Sequence, residues 1–270
     1  SCIRARFFET MQALSGRNMV HNTWTRDELI VAFNLYCKIP FGRIHIRNPQ
    51  IIALAKALGR TPSAVSWKLA NFASLDPSLK DRQIEGASHG GKGDIAVWNE
   101  FHGNWGKLAC ESERLWAQMT GQTIEKIAEI QEEDLPKEGK EREGVVRLRV
   151  NQHFFRAAVL AAYQYRCCVT GLAVPELLNA SHIDPWSNNP RVRMNPRNGL
   201  ALNALHDRTF DRGLVTITTD FNVKVSTKLQ ALPKHNALED FILRYDGKPI
   251  SLPSRFAPET EFLLYHNKII

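Results

Sequence analysis

The chain has 270 residues, of which 43% are hydrophobic and 23% charged, and this composition excludes a disordered or fibrous protein. A chain of this length suits two domains, each large enough to bury its own core. The formal net charge of +7 favours a polyanionic partner such as nucleic acid only weakly, because lysine-rich surfaces are also common.

The positive charge lies in two blocks separated by an acidic stretch. Residues 1–110 contain 14 Lys and Arg against 8 Asp and Glu, and residues 144–270 contain 16 against 10. Residues 111–143 contain 5 against 10 and end in a charge run typical of an exposed linker. The predicted organisation is therefore a lead at 1–22, a first domain at 23–130, an acidic linker at 131–144 and a second domain at 145–270.

The cysteines and the apolar runs indicate the compartment. Five irregularly spaced cysteines without a Cys-x-x-Cys pair argue against a disulfide framework and against a zinc ribbon. No apolar run approaches the roughly 20 residues of a membrane span. Arg4, Arg6 and Glu9 interrupt the first residues, which therefore do not form a signal peptide. We expect a reducing compartment, the cytoplasm.

A helix is predicted to begin near Arg26, with Thr23 or Thr25 as its cap, and to end before Pro40. The next stretch, I-P-F-G-R-I-H-I-R-N-P at 39–49, alternates apolar and basic residues and predicts an exposed loop or short strand. This pattern is typical both of a solvated connection and of a loop that contacts phosphate. The candidate contacts are Arg43, His45 and Arg47.

Residues 50–72 have the pattern of a helix-turn-helix. Gly59 ends the first helix, Thr61 caps the second, and Pro62 occupies its first position. Val65 and Leu69 are predicted to face the core. The outer face, which would read base edges in the major groove, carries Ser63, Ser66, Trp67 and Lys68. A structural helical hairpin would have the same caps and spacing.

A glycine-rich loop follows, with the sequence G-A-S-H-G-G-K-G-D at 86–94. Consecutive glycine N–H groups can bind an anion, but the spacing is not that of a nucleotide-binding P-loop. His89 and Lys92 are candidate contacts to the phosphate backbone, and a plain glycine turn is an equal alternative. Trp98, Phe101 and Trp105 lie near helical spacing and are predicted to be core residues.

The densest pattern is Ala180–Gly213, A-S-H-I-D-P-W-S-N-N-P-R-V-R-M-N-P-R-N-G-L-A-L-N-A-L-H-D-R-T-F-D-R-G. It resembles the nuclease motif of the HNH endonucleases, also called ββα-metal or His-Me finger enzymes. Cys168, Thr170 and Gly171 match the turn before the histidine strand in that family, without its zinc. The expected fold class is α+β: a mainly helical N-terminal DNA-binding domain with a helix-turn-helix-like hairpin, linked to a C-terminal ββα-metal nuclease domain.

The resemblance implies hydrolysis of DNA phosphodiester bonds. His182 matches the general base, since a side chain with a near-neutral pKa can take a proton from the attacking water. Asn198 matches the residue that holds the loop between the strands and orients the histidine. A buried structural histidine and a simple Asn-Gly turn are the alternative interpretations.

The helix after Asn198 is expected to carry the metal ligands. Asp207 and Asp211 are spaced i, i+4 on one helix face, and His206 lies about 100° round the helix from Asp207. The principal metal ligand is either His206 or Asp207. His206 is also a candidate catalytic residue. Where many relatives have an Asp or His ligand, this chain has Ser181. Oxygen ligands favour Mg²⁺ or Mn²⁺, whereas a histidine-rich set favours Zn²⁺ or Ni²⁺.

Further DNA contacts are expected from four arginines: Arg191, Arg193, Arg197 and Arg208. The N-terminal half resembles the DNA-binding domains of bacterial modification-dependent restriction enzymes (McrA-like, type IV), whose N-terminal domains sense methylated bases or phosphorothioate backbones. On that resemblance, Pro40 and Phe41 would contact the sulfur of a phosphorothioate, and Ser88 belongs to a second reading loop.

These observations predict a metal-dependent endonuclease of double-stranded, modified DNA in the bacterial cytoplasm. One such site cuts one strand at a time, so double-strand cleavage would require a homodimer or two encounters. Ser181 keeps an alternative open, a DNA-binding regulator with a nuclease-like domain that does not cut.

Overall fold

The computed structural model describes residues 23–80, 90–131, 133, 135–233 and 235–268. Helices predominate in these ranges, and the strands form two separate two-stranded antiparallel sheets, so the expected α+β class is confirmed. The predicted lead at 1–22 and the candidate residues Ser88 and His89 lie outside the described residues. Of the helices described, none is long and apolar enough to cross a membrane.

The first helix, α1 (Arg26–Lys38), begins and ends where the sequence predicts. The side chain of Thr25 accepts a hydrogen bond from the Glu28 N–H, and the Glu28 carboxylate accepts one from the Thr25 N–H, which is a capping box. Phe33 is fully buried at the centre of the helical half and stacks on Phe72 at 4.9 Å between ring centroids. A single turn of 3₁₀ helix, Phe41–Arg43, follows α1.

The next two helices are α2 (Pro49–Ala57) and α3 (Pro62–Leu75). Gly59 turns the chain between them with φ = +63°, a conformation that glycine adopts without strain, and Thr61 caps α3. Val65 and Leu69 are fully buried, as predicted. Both helices therefore lie where the sequence indicates, and their action as a DNA-binding helix-turn-helix stays a prediction.

Four more helices complete the N-terminal half: α4 (Pro77–Lys80), α5 (Lys92–Phe101), α6 (Trp105–Thr120) and α7 (Ile124–Ile127). Trp98, Phe101 and Trp105 are buried, which confirms their prediction as core residues. Their indole and phenyl rings surround α1 and close the core of this half.

One long helix, α8 (Gly139–Ala162), begins inside the predicted acidic linker. Its first turns expose the charges of residues 140–143 except Arg142, which pairs with Glu125 at 3.0 Å. From Val150 onward the helix buries Phe154 and Phe155. An exposed helix turn and a charged linker have similar sequences, because water solvates the charges in both. The helix packs against α1 and α6 and also against the strands of the C-terminal half, so it connects the two halves. The predicted domain bounds stay a prediction.

Arg255 also ties the C-terminal half to the helical half. Its side chain is fully buried, its Nη2 donates to the carbonyls of Cys37 (3.0 Å) and Ile39, and its guanidinium lies 4.5 Å from the centroid of the Tyr36 ring. These contacts stabilise the carbonyls at the end of α1, where the helix leaves them without partners.

The C-terminal half contains the ββα order that the sequence predicts. Strands β1 (Leu178–His182) and β2 (Gly199–Asn203) form an antiparallel hairpin, and α9 (Ala204–Asp211) follows directly. A second antiparallel hairpin follows, formed by β3 (Val215–Ile217) and β4 (Val223–Val225). Three short helices complete this half: α10 (Thr227–Gln230), α11 (Asn236–Phe241) and α12 (Thr260–His266).

Gly199 allows α8 to approach the hairpin closely. A Cβ atom at this position would lie 2.4 Å from Cγ2 of Val159 and 3.0 Å from Cζ of Phe155. We expect Gly199→Ala to lower the free energy of unfolding by roughly 1–3 kcal/mol, because packed cores do not absorb an extra methyl without displacement. Urea unfolding followed by circular dichroism measures this change.

The control is Gly144→Ala on α8, the helix that approaches Gly199, because a Cβ added at Gly144 meets nothing within 4 Å. Alanine is favoured over glycine inside a helix by up to roughly 1 kcal/mol, so this variant should be as stable as the wild type or more stable. Equal destabilisation by the two substitutions would contradict the close approach at Gly199.

Candidate active site

The β1–β2 hairpin places His182 opposite Gly199 at the end of the ladder. The His182 ring stacks on Phe155 of α8 with 3.9 Å between ring centroids and 7° between planes, and Nε2 lies 2.9 Å from the carbonyl oxygen of Arg193. A carbonyl oxygen only accepts, so Nε2 carries the hydrogen and Nδ1 carries the lone pair. Among the described residues, Nδ1 has no hydrogen-bond partner, so the neutral form of the His182 ring has a free basic nitrogen.

Burial lowers the pKa of His182 below its usual 6.5, and the positive charge of Arg193 lowers it further. The hydrogen bond to the Arg193 carbonyl and the charge of Asp184 act in the opposite direction. The lowered pKa keeps the imidazole unprotonated at neutral pH, which is the state that a general base requires.

Asn198 is fully buried and holds the loop that leads from His182 to β2. Its Oδ1 accepts from the Asp184 N–H at 2.7 Å, and its Nδ2 donates to the Asp184 carbonyl at 3.0 Å. Its own carbonyl accepts from the Ile183 N–H at 3.0 Å. The amide thus fixes the backbone directly after His182, and it takes no part in the cavity that His182 lines.

Asp207 on α9 is held by two side chains of β1. Nδ2 of Asn179 donates to its Oδ2 at 2.6 Å, and the Ser181 hydroxyl donates to its Oδ1. Asn179 and Ser181 are two residues apart on a strand and therefore face the same side. Each carboxylate oxygen keeps a further lone pair for another partner. The serine that replaces a common metal ligand of the family is thus a donor that orients the Asp207 carboxylate.

Asp207, Asp211 and His182 line one open cavity of about 530 Å³. The other residues that line it are Ala180, Ser181, Pro185, Trp186, Arg208, Arg212 and His266. Burial raises the pKa of Asp211, and the neighbouring negative charge of Asp207 raises it further. A cation would stabilise two mutually repelling carboxylates on the wall of one cavity.

His206 does not line this cavity. Its side chain is buried, its Nδ1 lies 3.1 Å from Oδ1 of Asn203, and its ring packs edge-on against Tyr245. Burial lowers its pKa to about 4. The 100° step between neighbouring helix positions turns His206 into the protein while Asp207 faces the cavity. Of the two candidate ligands, the structure brings only Asp207 to the cavity, and the inward position of His206 does not support its predicted roles as ligand and catalytic residue.

Three contributors to the site were not predicted from the sequence. Phe155 stacks on the His182 ring, Asn179 orients Asp207, and His266 lines the cavity. His266 is buried, with Nδ1 2.7 Å from the Thr216 hydroxyl and Nε2 3.1 Å from the Phe210 carbonyl, so its role is structural. Only Asn179 had a readable signal, its i, i+2 spacing from Ser181 in the strand.

The carboxylates of the cavity fit a hard divalent cation. Among the described residues, no group of three or more His, Cys, Asp and Glu side chains could hold a metal ion. Mg²⁺ is usually bound through one or two carboxylates, with water and phosphate oxygens completing its shell, and Asp207 and Asp211 fit that requirement. With His206 turned away, the set does not fit the histidine-rich site that would favour Zn²⁺ or Ni²⁺.

The four arginines that are predicted to contact DNA differ in whether other protein groups already bind them. Arg208 is exposed at the cavity and Arg191 is exposed in the loop. Arg193 instead donates to the Trp186 carbonyl at 2.5 Å and lies over the Trp186 ring, and Arg197 donates to the Ala257 carbonyl at 3.1 Å. These two arginines stabilise the loop, so the structure leaves Arg208 and Arg191 as the freer candidates for phosphate.

The predicted DNA-contacting side chains of the N-terminal half also differ in accessibility. Arg43, His45 and Arg47 are exposed, and Lys92 is exposed at the start of α5. Lys68 is an exception, because its ammonium pairs with Asp94 at 2.7 Å and the Asp94 side chain is only 1% exposed. A lysine in a buried ion pair is not free for DNA, so this pairing does not support the predicted DNA contact of Lys68.

The residues proposed to sense a modification are only partly accessible. Pro40 is buried, and Phe41 is half-buried and packs against the core. Ser63 and Ser66 of α3, in contrast, line an open groove together with Trp67. Pro40 nevertheless lines a separate open cavity, so its contact with a modified backbone stays a prediction.

Comparison with protein families supports the interpretation of the second half. Residues 167–218 match the family model described as HNH endonuclease. The match covers the cysteine turn, the β1–β2 hairpin, α9 and β3, and it supports an HNH nuclease. No curated protein matches the chain. The N-terminal half lies outside the match.

Proposed function

We propose that this protein is a metal-dependent DNA endonuclease that hydrolyses phosphodiester bonds in the cavity of His182, Asp207 and Asp211. The observation that carries the proposal is the state of His182, whose Nε2 is fixed by the Arg193 carbonyl while Nδ1 has no hydrogen-bond partner among the described residues. A general base needs this combination of a fixed ring and a free lone pair.

In the proposed reaction, Nδ1 of His182 takes the proton of the water that attacks phosphorus. The imidazolium that forms keeps its Nε2–H bond to the Arg193 carbonyl, and that carbonyl stabilises the new positive charge. Stacking on Phe155 holds the ring plane, so the base does not have to reorient during the step. Asn198 keeps the loop that supplies this geometry in place.

Asp207 and Asp211 would hold the divalent metal that HNH endonucleases use, here Mg²⁺ or Mn²⁺. When bound, this ion stabilises the negative charge that develops on the phosphate and on the leaving oxygen. Asn179 and Ser181 keep the Asp207 carboxylate in one orientation. Arg208 and Arg212, which also line the cavity, attract the phosphate backbone.

We further propose that the substrate is double-stranded DNA and that the N-terminal half reads it as in a bacterial restriction enzyme that recognises modified DNA. The exposed basic loop with Arg43, His45 and Arg47, together with α3, supports this role. Methylated and phosphorothioate DNA remain the two candidate substrates, and a homodimer is one route to double-strand cleavage.

Cleavage of plasmid DNA by the full chain tests this function. We expect nicked and then linear DNA with Mg²⁺ or Mn²⁺ and intact plasmid with EDTA. The preferred substrate is identified by comparing the cleavage of three plasmids: one without modification, one with 5-methylcytosine and one with phosphorothioate linkages. Binding without cleavage of all three plasmids, under either metal, would instead support the non-cutting regulator.

A further inference from the structure

One exposed apolar surface of the N-terminal half lies in a groove between the loop after α1 and the helix α3. Six residues line this groove, which has a volume of about 240 Å³ and is called the Ile46–Trp67 groove below: Ile44, Ile46, Ser63, Ser66, Trp67 and Ala70. Among the described residues, no Asp or Glu lines it. Its walls are therefore apolar, with two hydroxyl groups and one indole N–H as polar atoms.

Trp67 and Ile46 are unusually exposed for their size. The exposed fraction is 65% for Trp67 and 55% for Ile46, whereas the neighbouring Val65 and Leu69 of α3 are fully buried. Leaving a tryptophan and an isoleucine in water next to each other forgoes the free energy of burying them. Such a pair indicates a surface that is covered when a partner binds.

The surroundings of the groove favour a polyanionic partner. Arg43, His45 and Arg47 are exposed on the loop that contributes Ile46. Nearby carboxylates are already paired, Glu28 with Arg60 at 2.9 Å and Asp94 with Lys68 at 2.7 Å. The first turn of the 14-residue helix α3 borders the groove at Ser63 and adds a positive dipole end.

We propose that the Ile46–Trp67 groove binds the major-groove edge of duplex DNA and takes the 5-methyl group of a pyrimidine between Ile46 and Trp67. This inference rests on the proposed function and assigns its base contact to residues other than Pro40 and Phe41. A pyrimidine methyl is the apolar group that the major groove presents, and apolar side chains read it by contact. Ser63 and Ser66 lie beside it, where hydroxyl groups can bond neighbouring base edges.

Burying one methyl group between two apolar side chains corresponds to about fourfold in affinity for each contact made. The test compares one long DNA fragment amplified with dTTP or with dUTP, which differ only in the 5-methyl group. A second pair is amplified with dCTP or 5-methyl-dCTP. Binding of the full chain is measured by mobility shift without divalent metal, so that cleavage does not interfere.

We expect tighter binding of the methyl-bearing fragment in at least one pair, by about fourfold or more. Trp67→Ala and Ile46→Ala should reduce that ratio to nearly one while keeping the salt-dependent binding that Arg43 and Arg47 supply. The matched control is Ile52→Ala, since Ile52 is 45% exposed on α2 and does not line the groove. This variant should keep the wild-type ratio.

Equal binding of both members of both pairs by the wild-type protein overturns the proposal, and so does a ratio that survives in both groove variants. Circular dichroism verifies folding, and Trp67→Phe, which keeps an aromatic face, should retain part of the ratio. Failure of the proposed nuclease function gives a different result from failure of this proposal. The plasmid then stays uncut, while the ratio of binding to methylated and unmethylated DNA is still measurable.

Discussion

Replacement of His182 by alanine is expected to reduce the rate of DNA cleavage by about 10²–10⁴-fold, the usual contribution of a positioned general base. The reason is the free Nδ1 lone pair of His182, a residue that lines the cavity, and no other histidine among the described residues is placed to replace it. Single-turnover nicking of supercoiled plasmid measures the rate, and mobility shift without metal should show unchanged binding.

The matched control is His235→Ala, because His235 is exposed and only caps α11 through its Nδ1. This variant should cleave at the wild-type rate. Cleavage by His182→Ala at a rate close to that of His235→Ala would remove His182 from the proposed mechanism.

The pH dependence of cleavage provides a second check on His182. Its pKa is lowered by burial, and only the neutral form accepts a proton, so the active form persists below pH 6.5. As pH falls through the lowered pKa, protonation should remove activity, and the midpoint of this acid limb should lie below 6.5. An acid limb centred above 6.5 would contradict the observed burial of the ring.

The second large effect is expected at Asp207. Asp207→Asn should reduce cleavage by about 100-fold or more, since the ion that it would hold contributes several kcal/mol to the stability of the transition state. His206→Gln should leave cleavage within about tenfold of the wild type, because His206 faces Asn203 and Tyr245 and not the cavity. Cleavage rates and Mn²⁺ binding, followed by the paramagnetic signal of free Mn²⁺, distinguish the two variants.

The Mn²⁺ measurement separates loss of the ion from loss of the fold. Asp207→Asn should bind Mn²⁺ more weakly while circular dichroism shows a folded protein. His206→Gln should bind Mn²⁺ normally and melt at a lower temperature than the wild type, since His206 is buried. A reversed pattern, with weak Mn²⁺ binding only in His206→Gln, would make His206 the ligand.

Local signals in the sequence were sufficient for the helices and hairpins. Thr25 with Glu28, and Thr61 with Pro62, are cap patterns whose chemistry is complete within a few residues, and both helices begin there. The C-terminal strands were predictable for the same reason, because alternation and turn residues are local properties. The start of α8 was missed because a solvated charge run does not distinguish a helix turn from a linker.

Identification of the candidate site required both the sequence pattern and the tertiary structure. The pattern around His182 and Asn198 predicted a nuclease, and residues 167–218 match the HNH endonuclease family. Pattern alone left His206 and Asp207 equivalent, and it could not show that Ser181 donates to Asp207, since that hydrogen bond joins two elements 26 residues apart.

The sequence by itself determined the order of the elements, the histidine and asparagine of the motif, and the basic character of both halves, because these properties depend on neighbouring residues. Only the tertiary structure decided which side chains share the cavity. It turned His206 inward, paired Lys68 with Asp94, buried Pro40, and left Trp67 and Ile46 in water. The physical reason is that accessibility and pairing depend on which surfaces pack together, and no stretch of sequence specifies its distant partner.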